Sequence, residues 1–183
     1  GAPAFTPVAG GLAHAYELIS LIRDNYSVSI GAACYPEKHP ETERAEAEVR
    51  YAKQKEEAGA DFLITNLFFD NHAYFEFVAR AREGGVTVPI IPGIMPVTNV
   101  DQIRRFTMKI GAHMPDSLLA PLEARKEDPD AVLQLGVAWA TLQCAELLEG
   151  GAPGLHFYTL NRSPATRAIL TALQAARPWN RRR

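Results

Sequence analysis

The sequence predicts an α/β protein with a parallel sheet, and three observations carry the prediction. Four short runs are almost wholly apolar: residues 28–34, 61–69, 86–96 and 154–160. Between them lie stretches whose apolar residues recur at helical spacing. Gly, Pro, Asn or Ser marks most of the junctions. Strands apolar on both faces and separated by helices pair in parallel through right-handed crossovers.

Taken in order, Leu12, Ala15, Leu18, Ile19 and Ile22 fall at helical spacing ahead of the run 28–34, so the chain opens helix, then strand. The stretch 42–60 is rich in helix formers, with Pro40 suited to the first helical turn and Gly59 to the stop. Residues 61–69 read as a strand buried on both faces. Asn71 is placed to cap a helix over 72–83, which Gly84 and Gly85 end. The run 86–96 is the third strand, and Thr98 opens a helix that turns Ile103 and Phe106 inward. A looser region leads from Gly111 into a long helix over 130–149. The run 154–160 is the fourth strand, followed by a last helix with Ser163 as cap and Pro164 at its first position.

Composition bounds what such a fold can do. The chain has 183 residues, 47% hydrophobic and 22% charged, which suits one domain, 1–183, with a real core. A net charge of -2 gives no field for non-specific nucleic-acid binding, and the basic tail "RPWNRRR" reads as a solvated terminus. Cys34 and Cys144 lie in different elements with no metal-ligand spacing, so a cytoplasmic protein without a metal centre is expected. No apolar run is read as long enough to cross a bilayer, and nothing at the start resembles a signal peptide. An eight-fold barrel takes about 250 residues. Four βα steps therefore mean either an open sheet or about half of a barrel.

In parallel α/β folds ligands gather at the carboxyl ends of the strands. Here those ends read Tyr35 to His39, Thr65–Asn66, Pro92 to Pro96 and Thr159 to Arg162. Each side chain also has a structural reading: His39 as a helix cap, Tyr35 as a half-buried aromatic, Phe106 as core, Glu48 and Lys55 as a solvated helix face. Asn66 is less easily dismissed, because a buried amide left unpaired costs about 1–3 kcal/mol. Together the set offers aromatics for stacking (Tyr35, Tyr74, Phe106), amides for a heterocycle (Asn66, Gln102) and cations for phosphate or carboxylate (Lys55, Arg162). A planar, nitrogen-rich, anionic ligand fits that set. The usual dinucleotide, P-loop and serine-hydrolase signatures are missing.

Four segments resemble the flavin-dependent catalytic domain of the methylenetetrahydrofolate reductase family. "YPEKHPE" is similar to its "AYPEVHPEA", "ITNLFFDN" to its "ITQLFF", "IIPGIMPV" to its "IIPGILPV" and "LHFYTLNR" to its "HFYTLNR". They occur in the family's order, from about Leu12 onward. The resemblance implies a parallel (β/α)8 TIM barrel of which this chain covers about the last four βα units. It also implies FAD and NAD(P)H as cofactors, and ping-pong hydride transfer that reduces methylenetetrahydrofolate to methyltetrahydrofolate, in the one-carbon metabolism that feeds methionine biosynthesis.

By the same resemblance the flavin contacts fall on Ala15, Tyr35, His39, Glu48, Tyr51 and Lys55, with His14 beside them. The folate contacts fall on Asn66, Gln102, Phe106 and Arg162, and Tyr74 falls on the nicotinamide side. Asn66 stands where the family usually has glutamine, one methylene longer. The family's general-acid glutamate and its "LRGD" segment have no counterpart, so no catalytic residue is expected in this chain. The expected partners are the remainder of the same barrel or a second copy. The rival reading is a non-catalytic flavin- or pterin-binding half-barrel, or a barrel fragment that dimerises to cover its edges.

Overall fold

The structure, a computed structural model, describes residues 8, 10–40, 42 and 44–181; Arg182 and Arg183 of the basic tail lie outside the described residues. The chain runs α1 (Ala15–Asn25), β1 (Gly31–Cys34), α2 (Ala45–Glu57), β2 (Phe62–Thr65), α3 (Asn71–Glu83), β3 (Ile90–Ile91) and β4 (Gly93–Ile94). It continues with α4 (Val100–Ile110), α5 (Asp116–Glu123), α6 (Pro129–Glu149), β5 (His156–Phe157), α7 (Pro164–Ala176) and a closing 3-10 turn, Pro178–Arg181. All strand pairs are parallel: β1 with β2 (Gly31 opposite Phe62), β2 with β3 (Leu63 opposite Ile90), and β4 with β5 (Gly93 opposite His156). Neighbours in space follow chain order, β1-β2-β3 and then β4-β5.

The strands are shorter than the apolar runs, for reasons visible in their backbone bonds. β1 begins at Gly31 rather than 28, because the Ile30 N–H is taken by the Asp61 carboxylate (2.7 Å) and Val28 O by the Arg23 guanidinium (3.2 Å). β2 stops at Thr65 rather than 69, because Asn66 Oδ1 accepts the Leu67 N–H (2.9 Å) and closes the backbone on itself. The third run divides at Pro92, which has no N–H to give the ladder. The fourth is reduced to His156–Phe157, and beyond it Leu160 (φ 49) and Asn161 (φ 59) take the left-handed conformation.

Helix starts shift by a residue or more. Asp70, not Asn71, caps α3, accepting the His72 N–H (2.9 Å). Asn71 is instead the first helical residue, its amide donating to Gln143 O (3.1 Å) and Glu146 Oε2 (2.7 Å) on α6. Asn99, not Thr98, caps α4 by accepting the Gln102 N–H (2.8 Å). α2 begins at Ala45, so Pro40 stays in the preceding loop. Ser163 does stand at the α7 N-cap, but its side chain makes no cap bond. The region read as loose contains a helix, α5, despite Pro121 inside it.

α6 corrects a further expectation: at 21 residues, with an 18-residue window of mean hydropathy 1.4, it is long and apolar enough to cross a membrane by length and composition. A third of that stretch is buried within the fold. Val132, Gly136, Ala140, Gln143, Cys144 and Leu147 form the inward stripe. Gly136 is required there, since a Cβ would lie 1.8 Å from Val97 O.

Two apolar clusters hold these elements. The larger fills the space between sheet and helices, with Leu63, Phe77, Ile94, Cys144, Leu147 and Ile169 fully buried. Each such aliphatic or aromatic side chain contributes about 1.5–3 kcal/mol by leaving water. The smaller gathers residues that lie just past the strand ends (Leu67, Phe69, Val97) against Val100 and Ile103 of α4, Leu118 and Leu122 of α5, and Val132. It therefore seats α4 over the carboxyl ends of β2 and β4, where parallel folds keep their ligands.

Candidate functional site

Two cavities open past the strand ends, one beside β1 and one beside β4 and β5. The first, about 670 Å³, lies between α1, the loop after β1 and α2. Glu48, Tyr51 and Lys55 fall at i, i+3 and i+7 on α2, one face of the helix, and all three line it. Glu48 is only 3% exposed, and its carboxylate accepts the His39 N–H (3.0 Å), so one buried anion anchors the loop. The Tyr35 and His39 rings meet edge to face, 4.6 Å between centroids, and both line the cavity. Lys55 reaches under the loop to donate to Ala33 O (2.7 Å). Burial holds its ammonium below the ordinary value, against the opposing fields of Cys34 and Glu48. The neighbouring Cys34 thiol is pushed up by burial to about 12, so it stays protonated and inert. Ala15 opens α1 at the far wall, where the His14 and Tyr16 rings stack at 5.4 Å.

The second cavity, about 420 Å³, lies between α4, the residues after β4 and the turn after β5. Gln102 and Phe106, one turn apart on α4, form its upper wall, and Arg162 lines it from the other side. The left-handed pair Leu160 and Asn161 precedes Arg162 directly. Such a backbone costs about 1–2 kcal/mol at Leu160 and less at Asn161, and it turns the chain just ahead of Arg162. Tyr158 forms part of the floor, its hydroxyl donating to Thr65 O (2.9 Å). Gly93 beneath it admits no side chain, since a Cβ would lie 2.2 Å from Thr65 O.

Asn66 stands between the two cavities and lines neither. Its N–H donates to Cys34 O (2.8 Å), beside the first, and the preceding Thr65 carbonyl meets Tyr158 of the second. Its side-chain carbonyl is spent on the Leu67 N–H. Tyr74 corrects the sequence expectation: it is 2% exposed, stacks on Phe68 at 5.8 Å and donates to Ile90 O (2.8 Å), inside the core. Burial pushes its hydroxyl up to about 12. The structure also adds residues that sequence reasoning passed over. Tyr16, Arg50 and Gln54 line the first cavity, and Asn99 and Tyr158 the second. Arg50 is exposed on α2, and its guanidinium lies 5.3 Å from the centroid of the Tyr51 ring. Tyr158 was within the "LHFYTLNR" segment but carried no signal apart from it.

Chemically, the first cavity joins aromatic edges, a fixed anion and two cations, a donor set suited to a long ligand with a planar ring and a phosphate. The second joins an aromatic wall, an amide and a guanidinium, suited to a flat heterocycle bearing an anion.

The sequence matches the profile of the methylenetetrahydrofolate reductase family over residues 1–174. A probable methylenetetrahydrofolate reductase (NADPH) of Caenorhabditis elegans is 41% identical over 87% of this chain and 24% of its own. A probable methylenetetrahydrofolate reductase (NADH) of Oryza sativa subsp. japonica is 39% identical over 94% of this chain and 31% of its own. The 5,10-methylenetetrahydrofolate reductase of Pectobacterium carotovorum is 34% identical over 91% of this chain and 57% of its own. The chain thus spans from a quarter to just over half of these relatives. Among solved structures, an uncharacterized protein from Clostridium thermocellum that binds two copies of 5-methyl-5,6,7,8-tetrahydrofolic acid shares the fold. It superposes with a TM-score of 0.61 at 17% identity, over 96% of this chain and 65% of that one. With a family profile matching nearly end to end and relatives of the same name on both sides of the bacterial–eukaryotic divide, this chain belongs to the methylenetetrahydrofolate reductase family.

Proposed function

We propose that this chain supplies the flavin cradle and the folate-binding side of a reductase that converts methylenetetrahydrofolate to methyltetrahydrofolate at the expense of NAD(P)H. One observation carries the reading. The six residues that the resemblance assigns to flavin line one cavity, three of those assigned to folate line the other, and both open at the carboxyl ends of parallel strands. Strand neighbours that follow chain order without reversal support an arc of a (β/α)8 barrel over a doubly wound sheet.

The donor set of the first cavity fits FAD. Tyr35 and His39 would hold its ring system, Lys55 and Arg50 its diphosphate, and Glu48 would keep the loop in place through the His39 N–H. Bound there, FAD would supply the hydride chemistry between NAD(P)H and the folate, in the ping-pong order that the resemblance implies. This chain's own residues do the binding work on the folate side. Phe106 gives the pterin ring a stacking face, Gln102 meets its amide edge, and Arg162 pairs with a carboxylate or a polar ring edge. None of the acids that line these cavities stands where the family places its general acid, so proton delivery belongs to residues beyond this chain. The same reading puts the protein in the cytoplasm, in keeping with two free, buried cysteines.

A second reading, a half-barrel that covers its edges by dimerising, draws on exposed apolar side chains of the two flanking helices: Leu18 and Leu21 on α1, Leu170 on α7. One experiment separates the readings: the visible absorption spectrum of the purified full-length protein carrying this chain, with its intact mass. Flavin bands that bleach with NADPH or NADH and return on adding methylenetetrahydrofolate are expected. A flavin-free dimer of chains this size would overturn the reductase reading.

A further inference from the structure

The loop after β1 and the far end of α4 are joined by a side chain that lines neither cavity. Both carboxylate oxygens of Glu37 accept the His113 N–H, at 3.2 and 3.1 Å. Glu37 lies two residues from Tyr35 and two from His39, at the middle of the loop that presents both rings to the first cavity. His113 lies three residues beyond Ile110, where α4 ends, and α4 carries Gln102 and Phe106 into the second cavity. The two backbones also lie against each other. A Cβ at Gly111, the left-handed cap of α4 (φ 72), would stand 3.7 Å from Pro40 Cγ and 3.9 Å from Lys38 O.

The loop is thus gripped at two points. Glu48 holds its end at the His39 N–H, and Glu37 holds its middle to the segment that follows α4. Pro36, buried, and Pro40 limit how far the backbone between can give. The geometry points to Glu37 as a positioning residue that fixes the spacing between the two cavities, so that a planar ligand in the first lies in register with one in the second. This rests on the two-ligand reading of the site. Transfer between stacked rings is steeply sensitive to their placement, with misplacements of about 1 Å costing up to a hundredfold in rate. A residue that touches neither ligand can therefore govern the reaction.

The test compares Glu37→Ala and Glu37→Gln in the full-length protein carrying this chain. Glutamine keeps an acceptor oxygen for the His113 N–H; alanine removes it. Amide hydrogen exchange of the ligand-free protein reads the tether alone. In Glu37→Ala, exchange at His113, across Tyr35–His39 and in the last turn of α4 is expected to quicken about tenfold or more, with core strands β1 to β3 unchanged and Glu37→Gln close to wild type. In the loaded enzyme, Glu37→Ala is expected to lower kcat about tenfold while KM for the folate rises less, and Glu37→Gln to restore most of kcat. Three results would overturn the proposal: exchange confined to His113, exchange raised throughout the chain, or Glu37→Gln behaving like Glu37→Ala. Failure of the flavin reading would show separately, as a wild-type protein without flavin bands.

Discussion

The two cavities differ in how much of their polar chemistry the protein has already used. In the first, Glu48 holds the His39 N–H, Lys55 holds Ala33 O, and the Tyr35 and His39 rings brace each other. In the second, the side chains of Gln102 and Arg162 make no hydrogen bond or ion pair among the described residues. Groups fixed in advance cost a ligand little ordering entropy, and they suit one that stays. Groups left free must be ordered by the ligand, and they suit one that arrives and leaves once per turnover. The contrast matches a resident cofactor on one side and an exchanging substrate on the other.

The largest expected effect falls on the free side. Arg162→Ala removes a charged hydrogen-bonding group worth about 1.5–3 kcal/mol. KM for methylenetetrahydrofolate should rise about ten- to hundredfold, with flavin content unchanged. Steady-state kinetics beside the absorption spectrum would check this, and a loss of flavin would break the division between the cavities. Next comes Glu48→Ala on the fixed side. It removes the buried carboxylate that accepts the His39 N–H, at about 1–3 kcal/mol, and flavin retention through gel filtration should fall about tenfold while folate KM holds. Equal effects of both variants on both ligands would mean one undivided site.

The smallest effect concerns Lys55. Its folded value lies below the ordinary 10.5 because burial disfavours the ammonium. Between the depressed value and the ordinary one, the unfolded chain holds more protons than the folded chain, so stability should rise with pH across that alkaline window. Lys55→Met should flatten the rise, as read from denaturant midpoints. Flavin should flatten it too, by giving the ammonium an anion to face. A wild type that tracks Lys55→Met would mean that this cation is solvated like Arg162.

Much of this architecture was legible in the residues, and the misses share a cause. The alternation of apolar runs and helical spacing is local, so α3, α6 and α7 came out near their observed bounds. Strand ends depend on which N–H is taken by a distant carboxylate or by a neighbouring amide, and Asp61 and Asn66 gave no local sign of those bonds. Helix caps slipped by one because two competent residues stand side by side, Asp70 with Asn71 and Thr98 with Asn99. At the site, Glu48 and Lys55, on a helix face beside the quoted segments, line the same cavity as Tyr35 and His39. Tyr74 was not, because a tyrosine hydroxyl in the core needs only one carbonyl, and Ile90 provides it.

The division of the third strand at Pro92 has a consequence for how the molecule comes apart. Ile90 and Ile91 pair with β2 and Gly93 and Ile94 with β5, while the Gly93 N–H turns back to Thr65 Oγ1 (2.8 Å) and the Tyr158 hydroxyl to Thr65 O (2.9 Å). One residue without an N–H is the seam between the two panels. Local opening follows such seams, so the β1-β2-β3 panel and the β4-β5 panel form natural units of partial unfolding. Thr65, the residue before Asn66, carries both bonds that cross the seam, so a fluctuation that separates the panels would have to break them at the floor of the second cavity.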